Sequence, residues 1–299
     1  GEDSALRVSG FFREQDGFAR NAVTDELFGA TDRYGGRAQL RLGLADNLTI
    51  DLSADYSLDR SNPAPSVTRA IAPAPFFPPA AANDVFDPDN FYRIFASNSP
   101  EARNETFGFS GTVTLELGNA TLKSITAYRE LDSFSTADPD GTRFRLYDQD
   151  VTTTQNQFSQ ELQIAGDAIG GKLDYLLGAY YFAEDAEQVL GLCFAPISSP
   201  MAAPFAACNT WTQGNEQETR SYAVFGQARY DLTDALSVTL GGRYTWDEKD
   251  IVSNQFFDFR QDAIGPGAVF GFGFPPALLG QRIVVPIVSN LPDSARFKR

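Results

Sequence analysis

Between residues 34 and 59 the chain changes from apolar to polar at almost every step. Ala38, Leu40, Leu42 and Leu44 alternate with Arg37, Gln39, Arg41 and Gly43. After Asp46-Asn47, the residues Leu48, Ile50, Leu52, Ala54, Tyr56 and Leu58 alternate with Thr49, Asp51, Ser53, Asp55, Ser57 and Asp59. A period of 2 sends one set to each face of a strand. A row of aspartates is a poor lining for a dry core between packed sheets. It suits a barrel with lipid outside and water or a polar filling inside.

The same alternation recurs in 106–117, where Phe107, Phe109, Val113, Leu115 and Leu117 share a face. In 236–246, Leu236, Val238, Leu240, Tyr244 and Trp246 do the same. Tyr244 and Trp246 end their apolar row where an upper aromatic girdle belongs. The pattern predicts about nine strands, near 4–15, 34–45, 48–59, 104–117, 121–132, 153–166, 172–185, 219–231 and 236–248. Strand 121–132 alternates poorly, with Leu122 and Ile125 on opposite faces. Strand 172–185 turns Leu176, Tyr180 and Phe182 inward, so its register is open.

Asp46-Asn47, Gly118-Asn119, 166–171 and Thr233-Asp234 read as tight turns. The other connections, 16–33, 60–103, 133–152, 186–218 and 249–299, are long. Short turns at one rim and long loops at the other give the expected class: all-β, a partial transmembrane antiparallel β-barrel with periplasmic turns and extracellular loops. The expected organisation is one partial barrel domain over 1–299, with strands across 4–248 and one long extracellular loop over 249–299.

Composition is consistent with this. The mean hydropathy is −0.25, and no apolar run approaches the ~18 residues a membrane helix needs. A barrel strand spans with ~9–11 residues, half of them polar. Aromatics make up 13% of the chain, with 25 Phe and 11 Tyr, as girdles and large loops require. A net charge of −15 disfavours nucleic acid as a partner.

Catalytic and metal chemistry find little to build on. The chain has no histidine, which removes the commonest general base and metal ligand. The acidic pairs Glu184-Asp185 and Asp247-Glu248 sit at strand ends. Asp138-Pro139-Asp140-Gly141 begins like a calcium loop but lacks the later acidic ligands, so it reads as a turn. No enzyme activity and no cofactor are expected. Cys193 and Cys208 are the only cysteines and share one expected loop. A disulfide there would close a 16-residue ring, stabilising the loop by roughly 3 kcal/mol in an oxidising compartment. Two unpaired thiols are the alternative.

Several phrases resemble the mid-barrel of TonB-dependent outer-membrane receptors. They are Lys123-Ser-Ile-Thr-Ala-Tyr-Arg129, Gln157-Phe-Ser-Gln-Glu-Leu-Gln-Ile164, the stretch 171–182, Ser221-Tyr-Ala-Val-Phe-Gly-Gln227, Tyr230-Asp-Leu-Thr-Asp234 and Leu240-Gly-Gly-Arg-Tyr-Thr-Trp-Asp-Glu-Lys249. They keep their order over most of 1–250. The resemblance implies a 22-stranded barrel around an N-terminal plug, set in the lipid of a bacterial outer membrane and energised by the TonB complex. Neither a plug nor a TonB box has room before the first strand, no leader is visible at Gly1-Glu2-Asp3, and about nine strands cannot close such a barrel. The expectation is an internal fragment of a longer receptor.

Ligand contacts are expected on the long loops. Arg143, Arg145 and Tyr147 lie in 133–152. Phe91 and Tyr92 lie in 60–103 with Phe76, Phe77, Phe86 and Phe95, and Phe270 to Phe274 lie in 249–299. Arginines among aromatics suit an anionic, ring-bearing ligand. In the competing reading the aromatics pack loop on loop and the arginines pair with nearby aspartates. The resemblance implies uptake of a scarce nutrient. The lack of histidine points to a ferric siderophore rather than haem or zinc. A passive outer-membrane channel and a soluble β-rich binding or adhesion module are the alternatives.

Overall fold

The computed structural model describes residues 4–69, 83–85, 87–145, 147–194, 209–260 and 282–298. Along them run strands β1 (Ser4–Gln15), β2 (Ala19–Asn21), β3 (Leu27–Phe28), β4 (Thr31–Ala45), β5 (Leu48–Ser61), β6 (Arg93–Ile94) and β7 (Ala102–Glu116). They continue with β8 (Ala120–Ala137), β9 (Tyr147–Ala168), β10 (Leu173–Phe194), β11 (Asn209–Thr233), β12 (Leu236–Arg260) and β13 (Arg282–Lys298). A ten-stranded sheet has the order β1-β4-β5-β7-β8-β9-β10-β11-β12-β13, and every neighbouring pair is antiparallel. From β4 to β12 this is the meander that the alternation predicts. The short strands β3, β2 and β6 form a separate sheet in the loops.

Register lines the apolar positions into lateral rows. Leu48 faces Leu115, which faces Leu122, then Ile164, then Leu177, a row across five strands. Leu40 and Leu52 face each other two same-face positions higher, above the pair Leu42 and Ile50. Aromatics cap this band: Tyr128 faces Phe158, and Tyr222 faces both Tyr181 and Trp246. The rings of Tyr181 and Tyr222 are 5.1 Å apart, and those of Tyr244 and Trp246 4.4 Å apart. Above the girdle the outward position becomes Glu105 on β7, Glu130 on β8, Asn156 on β9, Arg220 on β11 and Glu248 on β12. That change marks the upper edge of the lipid band.

Among the described residues no second layer covers this face. Leu240 is 73% exposed and Leu162 49%. The largest fully buried side chain, Phe28, lies in the loops rather than on the wall. A sandwich would bury these leucines between sheets. Where polar residues interrupt the apolar face they satisfy one another: Thr126 Oγ1 donates to Gln160 Oε1 at 2.6 Å, and Gln160 Nε2 donates to Ser124 Oγ at 3.0 Å. In hydrocarbon such groups have no water to turn to.

The turns at the lower rim are short. Gly118 supports one of them with φ +70°, a left-handed value that glycine adopts without strain. The last turn sits at Asp234-Ala235, one residue beyond the expected position.

At the upper rim the strands outrun expectation. β9 begins at Tyr147, β10 reaches Phe194, β11 begins at Asn209 and β12 reaches Arg260. The stretch 249–299 is therefore not one long loop, because β12 continues into it and β13 occupies Arg282–Lys298. The extensions stand above the lipid with water on both faces, so alternation does not mark them. β13 also carries Pro286 and Pro292, and its pairing with β12 slips between Ser253 and Phe256. Pro286, opposite Phe256, lies at this irregularity, where a missing ladder hydrogen bond is tolerated.

Candidate functional site

The face opposite the lipid band is charged and hydrogen-bonded. On β4, Arg33, Arg37 and Arg41 recur every fourth residue, directly opposite Asp59, Asp55 and Asp51 of β5. Arg41 grips Asp51 with Nε at 2.7 Å and Nη2 at 3.1 Å, and Arg33 Nε lies 2.7 Å from Asp59. At the middle rung Arg37 Nε donates to Ser53 Oγ at 3.0 Å instead. Asp55 is approached by Arg129 of β8, Nη2 to Oδ2 3.5 Å. Further round, Glu184 accepts from Gln155 Nε2 at 2.6 Å and Gln217 Nε2 at 3.3 Å.

The inward apolar residues of the sequence pattern are real, and the register is right. Tyr180 and Phe182 face Ala223 and Ser221 on this polar side, while Ile125 faces Thr112 and Glu161. Arg243 stacks near Tyr180 and Phe225, each centroid 5.6 Å from its guanidinium carbon. The ring of Phe225 lies over Gly178, where a Cβ would stand 2.2 Å from it.

Above the wall the loops fold into a crown with its own core. Ala19, Phe28, Ile94 and Ala96 form a buried cluster. β2 pairs with β3 antiparallel and with β6 parallel. Asn21, 1% exposed, donates from Nδ2 to the Ala96 carbonyl at 3.0 Å and accepts from Val23 N at 3.0 Å. A second junction ties residues 84–98 to residues 138–148. Asp138 accepts from Ser97 N at 2.7 Å, Ser97 Oγ at 3.2 Å and Gly141 N at 3.0 Å. Asp148 accepts from Asn98 Nδ2 at 2.8 Å. Burial, with the charges of Asp140 and Asp148 added, pushes the Asp138 carboxyl up to about 7, against the hydrogen bonds from Ser97 and Gly141.

The expected ligand residues divide in two. Arg143 is held by buried Asp84, with Nη2 2.6 Å and Nε 2.8 Å from Oδ1, its backbone N–H 2.8 Å from Oδ2, and Phe95 5.2 Å beneath the guanidinium carbon. The Asp84 hydrogen bond raises its pKa further. Arg145 is paired with Asp148, and Tyr147 N donates to Asp140 Oδ2 at 2.9 Å. Both arginines are therefore used within the crown, as in the competing reading. Phe91 and Tyr92 are 67% and 64% exposed, and Tyr92 meets Phe18 edge-on at 6.2 Å.

Cys193 is buried at the upper end of β10. Cys208, Phe76, Phe77, Phe86 and Phe270 to Phe274 lie outside the described residues. No cluster of three or more His, Cys, Asp or Glu fit to hold a metal occurs among the described residues. Sequence reasoning missed Asp84 and the junction at Asp138 and Asp148. The fourfold spacing of arginines on β4 and aspartates on β5 likewise went unremarked.

Known proteins agree with this geometry. Residues 39–272 match the family model "TonB dependent receptor-like, beta-barrel". The ferric yersiniabactin uptake receptor FyuA from Yersinia pestis superposes with a TM-score of 0.61 at 15% identity, over 99% of this chain and 39% of that one. The ferric-catecholate import receptor Fiu from E. coli K12 does so in its closed form with a TM-score of 0.59 at 13% identity, over 100% of this chain and 43% of that one. Its open form gives 0.54 at 12% identity, over 100% and 47%. The chain thus spans less than half the length of the structures it matches. A lipid-banded wall with a polar inner face and a loop crown, matched over most of its length by one family model, places the protein in the bacterial outer membrane: the chain belongs to the TonB-dependent receptor β-barrel family.

Proposed function

We propose that this chain forms part of the wall and crown of a receptor that takes up a ferric siderophore, with energy supplied by the TonB complex through a region beyond this sequence. The observation that carries the reading is the two-faced wall: lipid-compatible rows outside and a solvated lattice of arginines, aspartates and glutamines inside, beneath interlocked loops. The siderophore receptors among its structural neighbours support the substrate class. The absence of histidine from all 299 residues disfavours haem and zinc as cargo. Within the crown, exposed Phe91 and Tyr92 are the ring-stacking contacts, while Arg143, Arg145 and Tyr147 shape the rim that presents them.

The test is iron-limited growth on a panel of ferric siderophores by a strain carrying the full-length gene. Variants Phe91→Ala/Tyr92→Ala and Arg143→Ala/Arg145→Ala are compared at equal surface expression. Impaired growth is expected of both. Unimpaired growth removes those residues from the site, and failure of the parent gene on every siderophore removes the substrate class. The proposal includes a disulfide between Cys193, near the upper end of β10, and Cys208. Labelling of both thiols without reductant contradicts it.

A further inference from the structure

In the crown, the segment 84–98 and the connection between β8 and β9 meet over four aspartates. Two of them are neutralised, Asp84 by Arg143 and Asp148 by Arg145. Asp140 is well served with donors: Thr142 N at 3.0 Å, Thr142 Oγ1 at 2.6 Å and Tyr147 N at 2.9 Å. Asp138, 1% exposed, has the N–H groups of Ser97 and Gly141 and a hydroxyl that it must share. The single hydrogen of Ser97 Oγ faces Asp138 Oδ2 at 3.2 Å and Asp148 Oδ1 at 3.4 Å. Next in the chain, Asn98 gives its Nδ2 to Asp148, and its buried Oδ1 has no donor among the described residues. With every carboxyl ionised, the junction holds more buried acceptors than hydrogens to serve them, and buried acceptors left unserved are costly. A proton on one carboxyl is the donor it lacks.

The surrounding charges place that proton on Asp138. Its own connection brings Asp140, with Arg143 and Arg145 already taken; β9 brings Asp148, and the segment 84–98 brings Asp84. Residues 66–69 bring Thr68, whose Oγ1 donates to the Asp140 carbonyl, with Arg69 next in the chain. Glu101 approaches through its N–H, on Thr136 Oγ1 at 2.8 Å. The charges that act on Asp138 are those of Asp140 and Asp148, both negative, and burial adds to them. Both sides of the junction belong to this chain, and Asp84, Asp138 and Asp148 are buried between them. Gly141 allows the close approach: its φ is +61°, and a Cβ there would stand 2.5 Å from the Ser66 carbonyl oxygen.

We propose that this junction is a proton latch: with Asp138 protonated it fastens the β8–β9 connection to the segment 84–98, and loss of the proton to water loosens the two from each other. The carboxylate so formed faces Asp140 and Asp148, which repel it. Arg143 on Asp84 and Thr68 on Asp140 remain as ties, so the crown loosens without coming apart. The closed junction keeps its proton up to about pH 7, whereas Asp138 released into water keeps it only to about 3.8. Raising the pH through that window therefore favours the loosened state. Phe91 and Tyr92 lie on the loosened segment, so capture of a ligand there follows pH; that consequence rests on the function proposed above, and the latch itself does not.

The test uses the intact receptor in lipid vesicles with no siderophore added. Infrared spectra should show a carboxylic acid band that disappears between pH 5 and pH 8 in the parent and is missing from Asp138→Asn. Site-resolved hydrogen exchange, corrected for its intrinsic rate, then reads the loosening. The diagnostic amide is that of Arg143, which donates across the junction to Asp84 and not to Asp138. Its exchange should rise in step with that of Ser97, on the order of tenfold or more from pH 5 to pH 8. Amides of β7 and β8 below the crown should not follow. Asp138→Asn should flatten the profile, and Asp140→Asn should move its midpoint to lower pH by removing one repelling charge. Three results overturn the latch: no acid band in the parent, faster exchange at Ser97 and Gly141 with Arg143 unchanged, or a pH dependence that survives in Asp138→Asn. A receptor that shows the latch and takes up no siderophore loses only the proposed cargo, and one that takes up siderophore without this titration loses only the latch.

Discussion

The wall and the crown are stabilised in different ways. The wall is a single layer: its apolar side chains remain exposed until lipid covers them, and its strands hold together through ladder hydrogen bonds and lateral rows such as Leu48, Leu115 and Leu122. The crown makes its own small interior, with Phe28, Ile94 and Ala96 fully or nearly buried and Asn21 and Asp138 satisfied inside it. One region needs a membrane to complete it and the other does not. The same substitution should therefore cost different amounts, at different places, in the two.

The largest effect is expected in the crown. Phe28→Ala should cost about 3–5 kcal/mol of local stability by emptying a filled site. Hydrogen exchange should rise across β2, β3 and β6 while the strands of the wall stay protected. Exchange rising equally in β7 and β8 would show that the two regions are not separable.

A charge on the lipid face comes next. Leu52→Arg should destabilise the folded barrel in bilayers by roughly 2–4 kcal/mol, and Leu115→Arg, nearer the lower turn, by less. Thr154→Arg, on the projecting part of β9, should fall within about 0.5 kcal/mol, since water meets it on either side. Chemical denaturation from lipid vesicles measures all three. Equal costs at Leu52 and Thr154 would break the distinction between embedded and projecting strand.

The smallest effect is one of pH, and it is confined to the crown. Asp138 titrates near 7 in the folded protein, against an ordinary value of 3.8. The folded junction thus binds its proton more tightly than the unfolded chain does. Stability should fall as pH rises from about 4 to about 7 and level off above. Exchange in residues 97–101 and 138–145, corrected for its intrinsic rate, should be faster at pH 8 than at pH 5. Asp138→Asn should abolish the difference, and a difference that survives in this variant would assign it to another group.

The same division explains what the sequence made legible. Strands β4, β5, β7 and the lower part of β12 were readable because one face meets lipid and the other water, which writes a period of 2 into Leu40, Leu52, Val113 and Leu240. The upper halves of β9 and β11, with runs such as Val151 to Asn156 and Asn209 to Glu218, have water on both faces and carry no such period. Their continuation rests on pairing with the neighbouring strand. β13 was hidden by two prolines, Pro286 and Pro292, which argue against a strand in the sequence. The candidate ligand residues were placed on the right loops. Which of them are held by partners depends on contacts distant in sequence, such as Asp84 with Arg143, 59 residues apart, and composition cannot supply those.

The most direct test of the two-faced wall is spin-label accessibility along β7 in the intact receptor, reconstituted in vesicles with Cys193 and Cys208 replaced by serine. Single labels run from Thr106 to Leu115. The account predicts a period of 2, with collision rates for oxygen high at Phe107, Phe109, Val113 and Leu115 and low at Thr106, Ser110, Thr112 and Thr114. Accessibility with no alternation, or with the threonine and serine positions facing lipid, would contradict it.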